Sequence, residues 1–564
     1  MIRKLAALSL TSTLILGGCG QGAVSTPPGN GNANTTPTPT VTPTTSSAVI
    51  KHVVVIFGEN VSFDHYFGTY PNALNIPGEP QFTAATGTTV PNNYVSNPNL
   101  LSQNPNLSTD GAANTTNGAG ATNPFRLDRA QAATGDQSHS YTPEQMAFDG
   151  GKMDLFPASV GSADSAAVAK ATEAPAIAST TGLTMGYFDG NTVTGYWNYA
   201  QHYALNDHSF GTNFGPSTDG AVNLISGQTN GVINTVNPGS SVVADGNGGL
   251  TLISDADPTG DVCSSTSKSV SMSGKNVGDL LTAAGITWGW FQGGFNLSIT
   301  NPNGTTGCSR SSVSTIVGTQ ADYVQHHEPF QYYKTTQNLT HARPTSVATI
   351  GTTDSANHQY DTLDFTAALA AGNLPAVSFL KAPAIEDGHP GNSDPLDEQT
   401  FIVNTVNAIE SSPFWSSTAI ILAYDDSDGW YDHASNLVNG SATTADVLNG
   451  TGICISTTAA AAALPGLTGT APAQGRCGYG PRLPLTVISP WAKKNYISTV
   501  VTDQSSVTKF IEDTFLSSQR IGGGSFDSIA GSLNDMFNFT NGAVVPNPNV
   551  VLLNPSTGLV TTGN

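Results

Sequence analysis

A short apolar run that ends in two polar residues constrains this chain more than any other feature. Val53 to Ile56 are four consecutive β-branched residues, and Glu59 and Asn60 follow directly after Gly58. The run is too short for helical periodicity, so it predicts a buried strand of an α/β sheet. Such sheets place their chemistry at the carboxyl ends of their strands. We therefore expect Glu59 and Asn60 to lie in a functional site.

A second apolar run, Thr418 to Tyr424, ends in the aspartate pair Asp425 and Asp426. Adjacent carboxylates repel each other, but one turn at a strand end can direct both toward a common cation, whose charge offsets the repulsion. A solvated acidic loop is the alternative. Because a second strand of this chain ends in Glu59 and Asn60, the metal site is the favoured interpretation.

Further apolar runs alternate with helical patterns along the chain. Strands are predicted at 286–291, 376–380 and 485–489. Helical spacing is seen for Val277, Leu280 and Leu281, for Phe401, Ile402, Val406 and Ile409, and for Val507, Ile511 and Phe515. This alternation predicts an α/β fold around a largely parallel sheet. Segments 69–125 and 229–262 are turn-rich and are predicted to be surface insertions.

The N-terminus has the pattern of an export signal. A basic start and an apolar segment from Leu5 to Leu16 lead to Gly17-Gly18-Cys19, as in a bacterial lipoprotein signal. An ordinary signal peptide with an incidental cysteine is the alternative. We predict a signal peptide at 1–18, a lipid on Cys19, a flexible tether at 19–47 and one catalytic domain at 48–564. The protein is thus expected in the bacterial cell envelope, lipid-anchored at the outer membrane or periplasm or released from it.

The remaining cysteines number four, as expected for disulfides in an exported chain. Sequence neighbours suggest that Cys263 pairs with Cys308 and Cys454 with Cys477, although four cysteines allow three connectivities. A zinc cluster is the rival interpretation, but none of the four falls in a C-x-x-C pair.

The charge balance excludes some classes of partner. The formal net charge is -21, with only 19 Lys and Arg residues. Nucleic-acid binders grip phosphates with surplus basic residues, so this class is disfavoured, as is tethering to a membrane by a basic surface. Anionic substrates would have to be attracted locally, by a metal ion or by histidines.

Two further features carry candidate chemistry. The turn Gly215-Pro216-Ser217 precedes a helix-like run, where a hydroxyl would face the free N–H groups of the helix, although most such turns have no function. Four histidines lie in turn-like segments beside acidic residues: His139, His326, His327 and His389. A loop histidine can protonate a leaving oxygen or hold a phosphoryl oxygen, but a surface histidine without a role is the alternative.

Together these segments resemble the bacterial phosphoesterase family that contains the non-specific phospholipases C and a related group of acid phosphatases, in the alkaline-phosphatase-like superfamily. The segment from Glu59 to Gly68 resembles the E-N-R-S-F-D-H-Y-F-G signature of that family, with Val61 in place of the arginine. The resemblance recurs at 185–188, 207–208, 215–227, 327–330, 389–390 and 424–433. It implies an alkaline-phosphatase-like α/β fold, with a mostly parallel sheet flanked by helices and with long loop insertions.

The resemblance also implies the site. One divalent metal ion, of unknown identity, would be held by Glu59, Asn60, Ser217, Asp425 and Asp426. Ser217 would be the nucleophile that forms a phosphoserine. The histidines that would contact phosphate or transfer protons are His139, His327 and His389, with His326 less favoured. Asp154 is a weaker candidate, and Thr218 is the alternative nucleophile.

The implied activity is hydrolysis of a phosphate ester, of a small molecule or of a phospholipid headgroup. The turn before Ser217 resembles the acid phosphatase branch, because the phospholipase branch usually has threonine in a P-G-P-T turn. A phospholipase C acting on phosphatidylcholine-type diesters is the alternative enzyme. An inactive envelope binding protein is the alternative outside enzymes, although all the expected donor residues are present. Contact with a membrane is expected only through the lipid anchor.

Overall fold

An eight-stranded sheet forms the centre of the protein in the computed structural model. In chain order its strands are β1 His52–Gly58, β2 Ala204–Asn206, β3 Trp288–Gln292, β4 Gln359–Asp361, β5 Val377–Lys381, β6 Thr418–Tyr424, β7 Leu485–Ile488 and β8 Tyr496–Ser498. Their spatial order is β4-β3-β5-β1-β6-β7-β2-β8. Only β7 runs antiparallel to its neighbours in this sheet. The predicted α/β fold around a largely parallel sheet is therefore confirmed, whereas membership of the alkaline-phosphatase-like superfamily stays a prediction.

The structure describes residues 45–164, 176–436, 473–539, 545, 547–548 and 550–561. The predicted signal peptide, Cys19, nearly all of the predicted tether and Cys454 lie outside these ranges. Within them, no helix is both long enough and apolar enough to cross a membrane.

Helices cover the sheet and connect its strands. The α-helices of the described residues are α1 Ser46–Val49, α2 Phe63–Phe67, α3 Tyr141–Phe148, α4 Phe156–Ser159, α5 Thr194–His202, α6 Ser217–Ser226, α7 Val277–Ala283, α8 Thr362–Ala370, α9 Pro395–Glu410 and α10 Gln504–Phe515. The helical spacings predicted from the sequence correspond to α7, α9 and α10. Aspartate or asparagine caps each of these three helices, because its side chain accepts a hydrogen bond from a free N–H of the first turn.

The predicted insertions are more ordered than their sequences suggest. Segment 229–262 contains the strands Val232–Val236, Val242–Ala244, Leu250–Leu252 and Asp257–Pro258. Val232 and Leu252 of this segment are buried in the main core, as are Tyr70 and Phe82 of segment 69–125. We predicted that both segments are surface insertions. The structure shows that this is only partly correct, because each segment places apolar residues in the core.

Further short strands lie outside the central sheet. They are Ser108–Thr109, Ala112–Ala113, Phe125–Arg126, Gly186–Tyr187, Ser209–Phe210, Ser269–Met272, Ser311–Ser314, Gly318–Ala321 and Thr502–Asp503. The predicted disulfide between Cys263 and Cys308 is present, with sulfur atoms 1.99 Å apart. The second predicted pair includes Cys454, so its pairing with Cys477 stays a prediction.

The pairing of β1 with β6 brings the two sequence motifs together. These strands are parallel neighbours, in register from His52 opposite Thr418 to Gly58 opposite Tyr424. Their carboxyl ends therefore lie side by side, and the residues that follow each strand share one edge of the sheet. Helix α6 packs closely against this edge at Gly220, where a Cβ atom would lie 2.2 Å from the carbonyl oxygen of Asp425.

Candidate active site

Ser217 lies at the centre of a buried cluster at this edge of the sheet. It is the first residue of α6 and is 1% exposed. The turn before it requires glycine, because Gly215 has a φ of 126°. The Oγ atom of Ser217 donates a hydrogen bond to Glu59 Oε2 at 2.9 Å and lies 3.3 Å from Asp426 Oδ2. The hydroxyl thus contacts one residue that follows β1 and one that follows β6.

Asn60 and Asp425 complete the predicted ligand set. The backbone N–H of Asn60 donates to Asp425 Oδ1 at 3.1 Å, and its side-chain amide donates to Asp428 Oδ1 at 3.0 Å. Asn60 has a φ of 62°, a conformation that asparagine tolerates better than most residues. Its Oδ1 atom is buried and has no hydrogen-bond partner among the described residues. The structure therefore brings all five predicted ligands together.

The cluster carries surplus negative charge. The side chains of Glu59, Asp387, Asp425 and Asp426 are each at most 2% exposed. Burial, with the charge of Glu59, raises the pKa of Asp425 to about 7. Burial likewise raises the pKa of Asp426 well above its usual range, and the carboxylates of Asp425 and Glu59 add to this rise. Carboxylates packed so closely repel one another, and either a bound proton or a nearby cation offsets this repulsion.

These residues fit a hard divalent cation. Each of the five predicted ligands offers an oxygen atom, which is the donor that such ions prefer. The unpartnered Oδ1 of Asn60 is a free acceptor at the cluster, and an acceptor that is buried without a partner is costly. A bound cation would satisfy this oxygen and offset the raised pKa values of the two aspartates.

Lys381, the last residue of β5, is a member of the cluster that sequence analysis missed. Its ammonium forms an ion pair with Glu59 Oε1 and lies 3.2 Å from Asp425 Oδ2. Burial alone would lower the pKa of Lys381, but Asp425 and Glu59 outweigh burial and raise it. The side chain is thus charged. Its position directly after the strand predicted at 376–380 was the one sequence signal that could have indicated a place in the site.

The predicted histidines differ in their protonation. Nδ1 of His327 lies 3.0 Å from Glu59 Oε1, and burial, followed by the charges of His326 and Lys381, lowers the pKa of His327 well below its usual value. His327 is therefore neutral. Nδ1 of His139 lies 3.2 Å from Asp428 Oδ1. Burial alone would lower the pKa of His139, but Asp426 and Asp428 raise it well above its usual value, so His139 is charged.

His389 and His326 are half-buried, whereas His327 is buried. The ring of His389 is 5.8 Å from that of His139, and the ring of His326 is 4.6 Å from that of His327. The histidines thus form two pairs around the carboxylates. His326, which we had expected to be the less important of its pair, belongs to this arrangement.

Glu144 of α3 is a second residue that the sequence did not reveal. Its Oε2 atom accepts a hydrogen bond from the N–H of Gly215 at 2.9 Å, and its Oε1 atom accepts one from Ser427 Oγ at 3.0 Å. It thereby joins the turn before Ser217 to the loop that carries the aspartate pair. Burial raises the pKa of Glu144 to about 8.

The two weaker candidates lie apart from these contacts. The hydroxyl of Thr218 donates to Asp255 Oδ1 at 2.7 Å rather than to the carboxylates around Ser217. The carbonyl oxygen of Asp154 accepts hydrogen bonds from Asn114 and Asn117, in a loop network outside the cluster.

In the segment from Glu59 to Gly68, the residues after Asn60 have a structural role. Asp64 is held by Arg482 at 2.9 Å and by His433 at 2.6 Å. The ring of His65 stacks on Trp430, with centroids 4.0 Å apart. These contacts fasten the segment after β1 to the segment after β6, and so fix the two ends that carry the candidate ligands.

The chain has recognisable relatives among known proteins. A sequence model described as the Phosphoesterase family matches residues 50–516. Non-hemolytic phospholipase C of Pseudomonas aeruginosa is 33% identical over 180 residues, which are 30% of this chain and 24% of that protein. The non-hemolytic phospholipase C of Burkholderia pseudomallei is 29% identical over 175 residues, 30% of this chain and 24% of that protein. Non-specific phospholipase C6 of Arabidopsis thaliana is 29% identical over 166 residues, 28% of this chain and 26% of that protein. The matched segments thus span about a quarter of these relatives.

Proposed function

The chain belongs to the phosphoesterase family, and from this premise we propose that it is a metal-dependent phosphoric ester hydrolase with Ser217 as its nucleophile. The predicted family is thereby confirmed, whereas the acid phosphatase branch stays a prediction. One observation carries the proposal. The Ser217 hydroxyl, at the start of a ten-residue helix, contacts Glu59 and Asp426, which follow two different strands.

The residues of the chain prepare the nucleophile. Glu59 and Asp426 accept the hydrogen bond of Ser217 and so fix the direction of its Oγ atom. A divalent cation bound by the five oxygen ligands would lower the pKa of this hydroxyl and neutralise phosphoryl oxygens. The N-terminus of α6 adds a partial positive charge on the side where the phosphoryl group would lie.

The reaction then follows in two displacements. Ser217 Oγ passes its proton to Asp426 and attacks phosphorus, and the bond from phosphorus to the leaving alcohol breaks. His139, which Asp428 keeps charged, donates a hydrogen bond to a phosphoryl oxygen. His389, which is half-buried, gives a proton to the leaving oxygen. Water then gives a proton to His389 and attacks the phosphoserine, and the serine oxygen takes its proton back from Asp426 as phosphate is released.

We propose phosphomonoesters as the substrates, on the resemblance of the Gly215-Pro216-Ser217 turn to the acid phosphatase branch. Phospholipase C activity on phosphodiesters is the second candidate, because the relatives named above are phospholipases C. The net charge of -21 favours neither, since the histidines and the metal site supply the local positive charge in both cases.

The test measures hydrolysis of p-nitrophenyl phosphate and p-nitrophenylphosphorylcholine, with and without a chelator. We expect release that the chelator abolishes and that Ser217→Ala reduces to background. Ser355→Ala is the control, because Ser355 is exposed and is not one of the cluster residues, and its hydrolysis rates should equal those of the parent. The ratio of the two rates decides between the monoester and diester assignments.

Two results would contradict the enzymatic proposal. The first is no release from either ester by folded, metal-supplemented protein, which would favour an inactive binding protein. The second is a Ser217→Ala variant as active as its parent. Full loss in Thr218→Ala with retained activity in Ser217→Ala would move the nucleophile to Thr218.

A further inference from the structure

A second group of possible metal ligands adjoins the candidate site. Glu59, His327 and Asp387 each offer a ligand atom, and these atoms all lie within 4.8 Å of one another. All three side chains are buried. One oxygen of Asp387 accepts a hydrogen bond from the N–H of His389 at 2.9 Å, and the other is buried without a hydrogen-bond partner among the described residues. Such a set of two carboxylates and an imidazole suits a divalent cation.

Lys381 reaches the same oxygens. Its ammonium pairs with Glu59 Oε1, the oxygen that also lies 3.0 Å from His327 Nδ1. The ammonium lies 3.2 Å from Asp425 Oδ2 and 3.3 Å from the carbonyl oxygen of Gly58. Its side chain is 0% exposed, and the ring of Phe57 packs beside it at 4.8 Å. The ammonium is therefore fixed in place and cannot leave for solvent.

The two oxygens of Glu59 consequently have different partners. Oε2 accepts the hydrogen bond of Ser217 and would be free to bind a metal ion, whereas Oε1 is paired with Lys381. The two oxygens of Asp425 also have different partners. Oδ1 accepts the hydrogen bond of the Asn60 N–H, and Oδ2 lies against the Lys381 ammonium. A second divalent ion would have to displace the ammonium from both carboxylates or lie against its positive charge.

We propose that Lys381 is a built-in cation which limits the carboxylate cluster to one divalent metal ion. This inference rests on the proposed function, in which Glu59, Asn60, Ser217, Asp425 and Asp426 hold that first ion. Lys381 acts as a positioning residue, because it holds Glu59 and Asp425 in the orientation that the ligands need. Without its ammonium, the oxygens of Glu59 and Asp425 and the free oxygen of Asp387 would form a second site.

The experiment counts metal ions in the protein. Wild type, Lys381→Ala and Lys381→Met are loaded with Mn²⁺, dialysed, and measured by elemental analysis and by electron paramagnetic resonance, which detects a spin-coupled pair of Mn²⁺ ions. We expect one ion per chain in wild type. Lys381→Ala, which removes the charge and opens space, should bind two ions and show the coupled signal. Lys381→Met, which removes the charge but keeps most of the bulk, should also bind a second ion, and one ion in this variant beside two in Lys381→Ala would overturn the role of the charge.

Lys509→Ala is the lysine control, because the ammonium of Lys509 donates to the carbonyl oxygen of Ala530, outside the cluster. It should bind one ion. Two ions in wild type would overturn the inference and leave the proposed hydrolase intact, as would one ion in a folded Lys381→Ala. No Mn²⁺ in wild type would instead contradict the metal site of the proposed function. Should Lys381→Ala fail to fold, the Lys381→Met count decides, because one ion in that folded variant would contradict the proposal.

Discussion

Replacement of Glu144 tests whether the turn before the proposed nucleophile, Ser217, is held by the buried carboxyl that joins it to the loop of the candidate metal ligands. Glu144→Ala removes the acceptors of Gly215 N–H and of Ser427 Oγ, two groups that are buried in the parent. An unsatisfied buried donor costs about 1–3 kcal/mol, so the two together predict a loss of roughly 2–6 kcal/mol in the free energy of unfolding. The alanine also leaves a void, which adds to this loss.

The same replacement should slow the reaction. Gly215 lies two residues before Ser217, so release of its N–H frees the turn that directs the attacking hydroxyl. Misplacement of a reacting group by about 1 Å can cost about 100-fold in rate. We expect kcat for p-nitrophenyl phosphate to fall by about that factor at saturating metal, with a smaller change in KM. Glu144→Gln is the matched variant, because its amide oxygen can accept from Gly215 and its amide N–H can donate to Ser427 Oγ.

The pH dependence of stability gives a second measurement on the same residue. Burial raises the pKa of Glu144 from 4.5 in the unfolded chain to about 8 in the folded protein. The folded state therefore holds a proton that the unfolded state has lost between these values. Stability should fall as pH rises from about 4.5 to 8, with a contribution of at most ~1.4 kcal/mol per pH unit. The amide of Glu144→Gln cannot titrate, so in this variant the contribution of residue 144 to the slope of unfolding free energy against pH should disappear.

Urea unfolding from pH 5 to 8 and steady-state kinetics at one pH measure both effects. The reasoning about Glu144 is refuted if Glu144→Ala unfolds and turns over like its parent. An unchanged pH slope in Glu144→Gln would show that the carboxyl does not carry the buried proton. A glutamine variant as slow as the alanine variant would mean that the hydrogen bonds do not position the turn.

Three further changes have expected outcomes. Glu410→Gln should flatten the loss of stability between pH 5 and 7, seen in urea unfolding, because burial raises the pKa of Glu410 to about 7 while Tyr203 donates to it at 2.5 Å. An unchanged slope would contradict this assignment. Cys263→Ser should lower the free energy of unfolding by about 4 kcal/mol under oxidising conditions, since the bond to Cys308 closes a loop with a sequence separation of 45. Equal stability with and without reductant in the parent would refute it. Cys19→Ser should move the protein from the membrane fraction to the soluble fraction of cells, and an unchanged distribution would exclude the lipid anchor.

The strands and the polar residues at their carboxyl ends could be predicted because their sequence signals are local. A strand buried on both faces must be a continuous apolar run, and β1 and β6 are such runs with all but one residue buried. The chemistry at their ends could be predicted because parallel strands end at the same edge. By contrast, β2, β4 and β8 have three residues each, too few for any pattern to separate them from loops.

Residues that act only through distant contacts could not be predicted. Lys381 and Glu144 carry no motif, since nothing near them in the sequence differs from an ordinary strand end or helix. Lys381 meets Glu59 from a position 322 residues away by number, and only because β5 is the neighbour of β1 in the sheet. The order of strands decides which polar residues meet, and this order is a property of the whole fold.

The segment from Glu59 to Gly68 shows why a resemblance to a family predicts the position of a site better than it predicts the role of each residue. Its first two residues, Glu59 and Asn60, face Ser217 and the aspartate pair, whereas Asp64 and His65 fasten the motif to Arg482 and Trp430. Val61 stands between these halves and is 1% exposed, and its N–H donates to the carbonyl oxygen of Asp426 at 3.0 Å. This backbone contact needs no particular side chain. The replacement of arginine by valine therefore leaves the frame of the site intact, because the backbone at this position holds together the two loops that carry the candidate ligands.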